Sequence, residues 1–225
     1  MSVTSKSIVV LISGSGTNLQ AIIDAVNNGS INANIAAVIS NRPDAPGLER
    51  ARKAGIKAVA IDQKTIPDRD QFDQALIDEI EKHGADLIVL AGFMRILTEK
   101  FINRFEHRII NIHPSLLPEF KGLNTHRRVL EAGKLRQGAS VHFVNIELDD
   151  GPVVIQAEVP VLPDDTEQSL AARVLEQEHI IYPMAIAWFI DGRLEVNDNN
   201  ILLDKSILRR PALWTANQLT FSEQP

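Results

Sequence analysis

Ile8-Val9-Val10-Leu11-Ile12-Ser13-Gly14-Ser15-Gly16-Thr17-Asn18 reads as a buried strand that breaks at a glycine loop and restarts as a helix. Five apolar, mostly β-branched residues bounded by turn formers have the length and composition of a strand covered on both faces. Glycines at 14 and 16 let the backbone approach an anion, and the free N–H groups of a helix's first turn bind one. A dinucleotide fingerprint needs a third glycine at position 19, where Leu19 stands, and no Gly-Lys-Ser/Thr follows to make a nucleotide-triphosphate loop. A single phosphate monoester suits the loop. A glycine turn that merely packs helix on strand is the alternative.

The same alternation continues outward. Strand-like runs at Ile35–Ser40, Ala58–Ile61, Leu87–Ala91 and Arg108–Ile112 are separated by helix-like segments at Asn18–Asn27, Ala45–Ala54, Asp68–His83 and Thr98–Phe105. This pattern predicts an α/β fold: an open, mostly parallel twisted sheet with helices on both faces. Ser140–Asn145 and Val153–Val161, joined by a turn, predict an antiparallel edge. Thr166–Ile190 predicts one long helix, N-capped by Thr166, with Pro183 inside it leaving open whether it bends there. Arg193–Val196 and Ile201–Asp204 predict a final hairpin, and residues 206–225, without a clear period, a loosely held C-terminal tail.

The 225 residues include no cysteine, which excludes disulfides, thiolate metal sites and a cysteine nucleophile. No His-x-x-x-His or carboxylate cluster stands out, so no metal site is expected. A net charge of −6 argues against a general nucleic-acid binder. The apolar runs are too short to span a membrane, and the five apolar residues from Ile8 are too few for a signal-peptide core. A cytoplasmic protein is expected.

Asn111 and His113 fall two apart at the end of a predicted strand, so their side chains share a face where open α/β sheets put their ligands. An amide steadies an oxygen that is becoming negative, and an imidazole moves a proton near pH 7. The Leu148-Asp149-Asp150-Gly151-Pro152 turn brings a carboxylate to the same region if the edge strand lies beside Arg108–Ile112. Alone, each piece has a plainer reading, a structural histidine and an ordinary Asp-Gly turn. His142, alternating with Val141 and Phe143, is either a supporting group or a core histidine, and His126 with Arg127 and Arg128 at a helix start reads as solvated.

Gly14-Ser15-Gly16-Thr17-Asn18-Leu19, Leu90-Ala91-Gly92-Phe93-Met94-Arg95-Ile96-Leu97, Asn111-Ile112-His113-Pro114-Ser115-Leu116-Leu117-Pro118, Leu148-Asp149-Asp150-Gly151-Pro152 and Gln177-Glu178-His179 follow one another in order. On these motifs the chain, from about residue 7 to 205, resembles the folate-dependent phosphoribosylglycinamide formyltransferases of purine biosynthesis. The resemblance implies one formyltransferase domain over 1–205, with a phosphate-binding N-terminal half and a folate-binding C-terminal half. It implies 10-formyltetrahydrofolate as cosubstrate and glycinamide ribonucleotide as acceptor. It assigns catalysis to Asn111, His113 and Asp149, and ribonucleotide contacts to Gly16, Thr17, Asn18 and Glu178. Folate contacts fall to Arg69, Met94, Arg95, Ile96, Leu97, Asn111, Asn145, Ile146, Glu147, Leu148 and Asp149. The implied partners are these small molecules, with no metal, nucleic acid or membrane, in a monomer or homodimer. A formyltetrahydrofolate hydrolase, which expects an N-terminal regulatory domain, a methionyl-tRNA formyltransferase, which expects a further C-terminal one, and a silent folate or phosphate-ligand binding module are the competing readings.

Overall fold

β1 (Lys6–Ile12) is buried from Ile8 to Ile12 because it lies in the middle of a sheet, and its continuous apolar run follows from that position. The computed structural model of the chain describes residues 6–197 and 200–221, in two compact units divided between Asn111 and Ile112. The first unit continues through α1 (Thr17–Asn27), β2 (Ala33–Ser40), α2 (Pro46–Lys53), β3 (Ala58–Ala60), α3 (Arg69–Glu81), β4 (Leu87–Leu90) and α4 (Glu99–Arg104). β5 (Ile109–His113) then carries the chain into the second unit. The sheet order β5-β4-β1-β2-β3 is parallel at every pair. The chain winds away from β1 through β2 and β3, then returns to β1's other side as β4. Between the carboxyl ends of β1 and β4 lies the reversal point at which open α/β sheets bind ligands. Helix starts follow local chemistry: the Asp68 carboxylate accepts the Gln71 N–H at 2.8 Å, and Thr98 caps α4.

In the second unit, β6 (Arg136–Phe143) and β7 (Val153–Pro160) form the expected antiparallel pair, with a register shift between Val141 and His142. α5 (Thr125–Glu131) precedes them, and α6 (Glu167–Ile190) packs across both strands. Thr166 caps α6 reciprocally: its hydroxyl accepts the Ser169 N–H at 3.1 Å, while Ser169 Oγ accepts the Thr166 N–H at 2.9 Å. α6 runs as one helix through Pro183. Tyr182, Ala185 and Ile186 around the proline are fully buried, and this packing holds the helix where one backbone bond is missing.

β8 (Leu194–Asn197) and β9 (Asn200–Leu203) pair antiparallel as the hairpin reading requires; Asp198 and Asn199 of that turn lie outside the described residues. The segment read as a loose tail instead contains β10 (Ser206–Ile207), β11 (Ala212–Thr215) and β12 (Gln218–Thr220). β10 extends the β8–β9 sheet, β11 pairs parallel with β7, and β12 folds back on β11 through Ala216 and Asn217, both at positive φ. The edge is therefore β12 rather than β7.

Candidate active site

Two constellations stand out, one in each unit. In the first, Ser13–Asn18 leaves β1 and enters α1 at a cleft of about 400 Å³, whose other walls are Asn41, Arg42, Gln63 and residues 91, 92 and 94. Gly16 occupies the N-cap of α1 at φ 71, and no side chain caps the helix start. α2, α3, α4 and α6 each carry an acid in the first turn, whereas α1 and the shorter α5 carry none. An anion is thus the natural complement of this helix end. The loop is shaped by close backbone packing. The Gly47 N–H donates to the Gly14 carbonyl at 3.0 Å, and a Cβ on Gly16 would stand 2.8 Å from the Gly47 Cα. Arg50 Nε donates to the Ser15 carbonyl at 2.8 Å from the outer side.

Beneath the loop runs a polar chain. Ser13 Oγ donates to Asn41 Oδ1 at 2.6 Å and accepts the Met94 N–H at 2.7 Å. Asn41 Nδ2 donates to Gln63 Oε1 at 2.8 Å, and Arg95 Nη1 donates to the same oxygen at 3.1 Å. Arg95 also lies over the Phe72 ring, 4.0 Å from its centroid. Arg69 Nη2 donates to the Ile96 carbonyl at 3.0 Å, so Arg69 and Arg95 both pin the segment that carries the exposed Met94 and Ile96. Leu97 is buried beneath it. Asn41, Arg42 and Gln63 are additions to the predicted set. Their signal was position, at the carboxyl ends of β2 and β3.

In the second unit, His113 Nδ1 lies 3.4 Å from Asp149 Oδ2, and its Nε2 lies 3.0 Å from the Phe120 carbonyl. Both ring nitrogens face oxygen acceptors. Asp149 Oδ2 also accepts the Gly122 N–H at 2.9 Å. Asp149 sits at φ 49, a conformation Asp tolerates, and a Cβ on Gly151 would strike the Phe143 carbonyl at 1.8 Å. The tight 144–152 turn is therefore what aims the carboxylate at the imidazole. His142 is nearly fully buried, with Nε2 3.7 Å from Asp149 Oδ1 and Nδ1 2.9 Å from the Phe143 carbonyl. Burial pushes its imidazole down to about 4, against the smaller opposing pulls of that carbonyl and of Asp149. It is uncharged at neutral pH, and the bulge at Val141/His142 re-aims it toward Asp149.

The loop after His113 is pinned by the buried Ser140 and Gln137 and the half-buried Gln156. Ser140 Oγ donates to the Ser115 carbonyl at 2.7 Å, Gln137 to the Pro114 carbonyl at 3.1 Å, and Gln156 to the Leu117 carbonyl at 2.9 Å. His126, read as solvated, is half-buried: burial lowers its pKa, with His113 adding in the same direction and Glu167 opposing. Glu178 is buried on α6, whereas Ile146, Glu147 and Leu148 are exposed on the turn that ends at Asp149, and Asn145 at its start is half-buried. Among the described residues no group of three or more histidines and carboxylates is gathered around a common metal position, and no helix is long and apolar enough to cross a membrane.

A parallel α/β unit with a glycine loop at a helix start and, in the second unit, an imidazole–carboxylate pair are features of a group-transfer enzyme acting on small molecules. The formyl transferase family profile matches residues 6–186. Phosphoribosylglycinamide formyltransferase of Escherichia coli (strain K12) is 52% identical over 198 residues, 88% of this chain and 93% of that one. The trifunctional purine biosynthetic protein adenosine-3 of Drosophila melanogaster is 44% identical over 189 residues, 83% of this chain and 14% of that much longer protein. The solved phosphoribosylglycinamide formyltransferase of Coxiella burnetii superposes with a TM-score of 0.87 at 49% identity, covering 91% of this chain and 96% of that one. The chain belongs to the formyl transferase family.

Proposed function

We propose that this enzyme transfers the formyl group of 10-formyltetrahydrofolate to the amine of N1-(5-phospho-D-ribosyl)glycinamide, giving the N-formyl product and tetrahydrofolate in purine biosynthesis. The observation that carries the reading is the His113–Asp149 approach of 3.4 Å, made by a turn whose glycine admits no side chain. The α1 terminus, without a side-chain cap or an acid in its first turn, supports a phosphorylated acceptor held by Gly16, Thr17 and Asn18, with Glu178 on its sugar or glycinamide part. In this reading the amine attacks the formyl carbon and the carbonyl oxygen becomes an oxyanion. Asn111 and protonated His113 donate to that oxyanion. Asp149 steadies the imidazolium and takes part in moving the amine's proton. The C–N10 bond then breaks, N10 takes a proton, and the formyl carbon stays on the acceptor nitrogen. Folate contacts are proposed for Arg69, Met94, Arg95, Ile96 and Leu97 in the first unit and Asn145 to Asp149 in the second. Arg69 and Arg95 act mainly by holding the backbone of that first segment. The chain is proposed to work in the cytoplasm as a monomer or homodimer, on small molecules alone and without a metal.

The test mixes the protein with 10-formyltetrahydrofolate, with and without the ribonucleotide. Deformylated folate that appears only with the ribonucleotide identifies the transferase. Release without it identifies a hydrolase, no release a binding module, and either outcome overturns the reading.

A further inference from the structure

We infer, resting on the ribonucleotide reading above, that Arg42 supplies the charge that binds the substrate's phosphate and that Asp44 holds its place until the substrate arrives. A phosphate monoester carries between one and two negative charges near pH 7, whereas a helix terminus offers roughly half a positive charge. The cleft beside Gly16 needs a cation to balance its ligand. Among the described residues that line it, Arg42 is the one cation. Arg50, the nearest rival, is committed to the Ser15 carbonyl on the outer side of the loop.

Arg42 is built for an exchange of partners. Its backbone is fixed at the cleft wall, where its N–H donates to Ser40 Oγ at 3.0 Å and its carbonyl accepts from the same hydroxyl at 2.9 Å. Among the described residues its head is held by Asp44, with Nε 3.3 Å from Oδ1 and Nη2 3.0 Å from Oδ2. That is the two-pronged geometry a guanidinium offers equally to a carboxylate and to a phosphate. The Arg42 and Asp44 side chains are 53% and 72% exposed, so water weakens the pair and the guanidinium can leave it cheaply. Ligand binding then replaces one bidentate pair by another, and Asp44 sets how strongly the phosphate must compete.

This predicts opposite effects from two neighbouring exposed residues. In steady-state formyl transfer, Arg42→Gln raises the KM for the ribonucleotide about tenfold, the size of a partly solvated charge-assisted hydrogen bond. Maximal turnover and the KM for folate change less than about twofold. Asp44→Asn lowers the ribonucleotide KM about twofold to fivefold, and the inhibition constant of ribose 5-phosphate moves in parallel in both variants. Arg42→Gln with the parent's KM and inhibition constant, or Asp44→Asn with a raised KM, overturns the assignment of Arg42 while the ribonucleotide reading stands. A parent protein that neither responds to the ribonucleotide nor is inhibited by ribose 5-phosphate overturns both.

Discussion

At the scale of single residues, the candidate chemistry depends on a carboxylate held in place by backbone. Asp149 reaches His113 because residue 149 adopts positive φ, because Gly151 leaves room for the Phe143 carbonyl, and because the Gly122 N–H fixes Oδ2 from the opposite side. Asn tolerates the same backbone conformation, so Asp149→Asn keeps the turn and removes only the charge. We expect this variant to lose about 10²–10⁴-fold in turnover, the usual worth of positioned proton transfer, while its binding of folate changes little. His113→Asn should lose a similar factor. The double variant should be scarcely worse than either alone, because the two groups act as one unit. Single-turnover kinetics with tight-binding titration of the folate checks this, and near-parental turnover in either single variant removes the pair from the chemistry.

At the scale of elements, what could be read from sequence divides by the range of the interactions involved. The first strand–loop–helix unit was legible because its signals are local: a β-branched run and two glycines ahead of a helix. The same holds for the Thr166 cap of α6. The Asn41–Gln63–Arg95 chain was not legible, because it joins the ends of β2 and β3 to the segment after β4. Each residue alone is an unremarkable polar group. Nor was β11 legible, since four residues with no clear period become a strand only by pairing with β7, 57 positions earlier (Ala212 opposite Ile155). Its contacts give β11 a measurable role: Ala212 is fully buried, and the Trp214 indole N–H donates to Gln177 Oε1 at 3.1 Å. Trp214→Ala should cost about 2–3 kcal/mol through lost packing and an unmet amide, lowering the melting temperature by about 5–10 °C. Gln177 immediately precedes Glu178, so the same variant should raise the ribonucleotide KM. An unchanged melting curve would return residues 206–221 to the status of a loose tail.

At the scale of the molecule, His142 is a buried neutral imidazole whose protonation state enters the stability of the whole fold. Its pKa in the native protein is about 4, set mainly by burial, and an unfolded chain returns it to its ordinary value of 6.5. Between these values the unfolded chain binds a proton that the native protein does not, so acidification favours unfolding. The contribution is complete above pH 6.5 and is lost as pH falls toward 4, and its full size is on the order of 3 kcal/mol. The affected unit should therefore show a midpoint in urea that is flat above pH 7 and falls between pH 6.5 and 4. His142→Asn, which takes up no proton in either state, should start less stable and decline less steeply over the same window. Carboxylates with depressed pKa values, such as Asp165 beside Arg173, titrate lower and shape the limb below pH 4 in both proteins alike. The slope difference between pH 6.5 and 4 thus isolates His142. Parallel curves for the two proteins would mean that the buried imidazole accepts its proton in the native state, with Asp149 rather than burial deciding its charge.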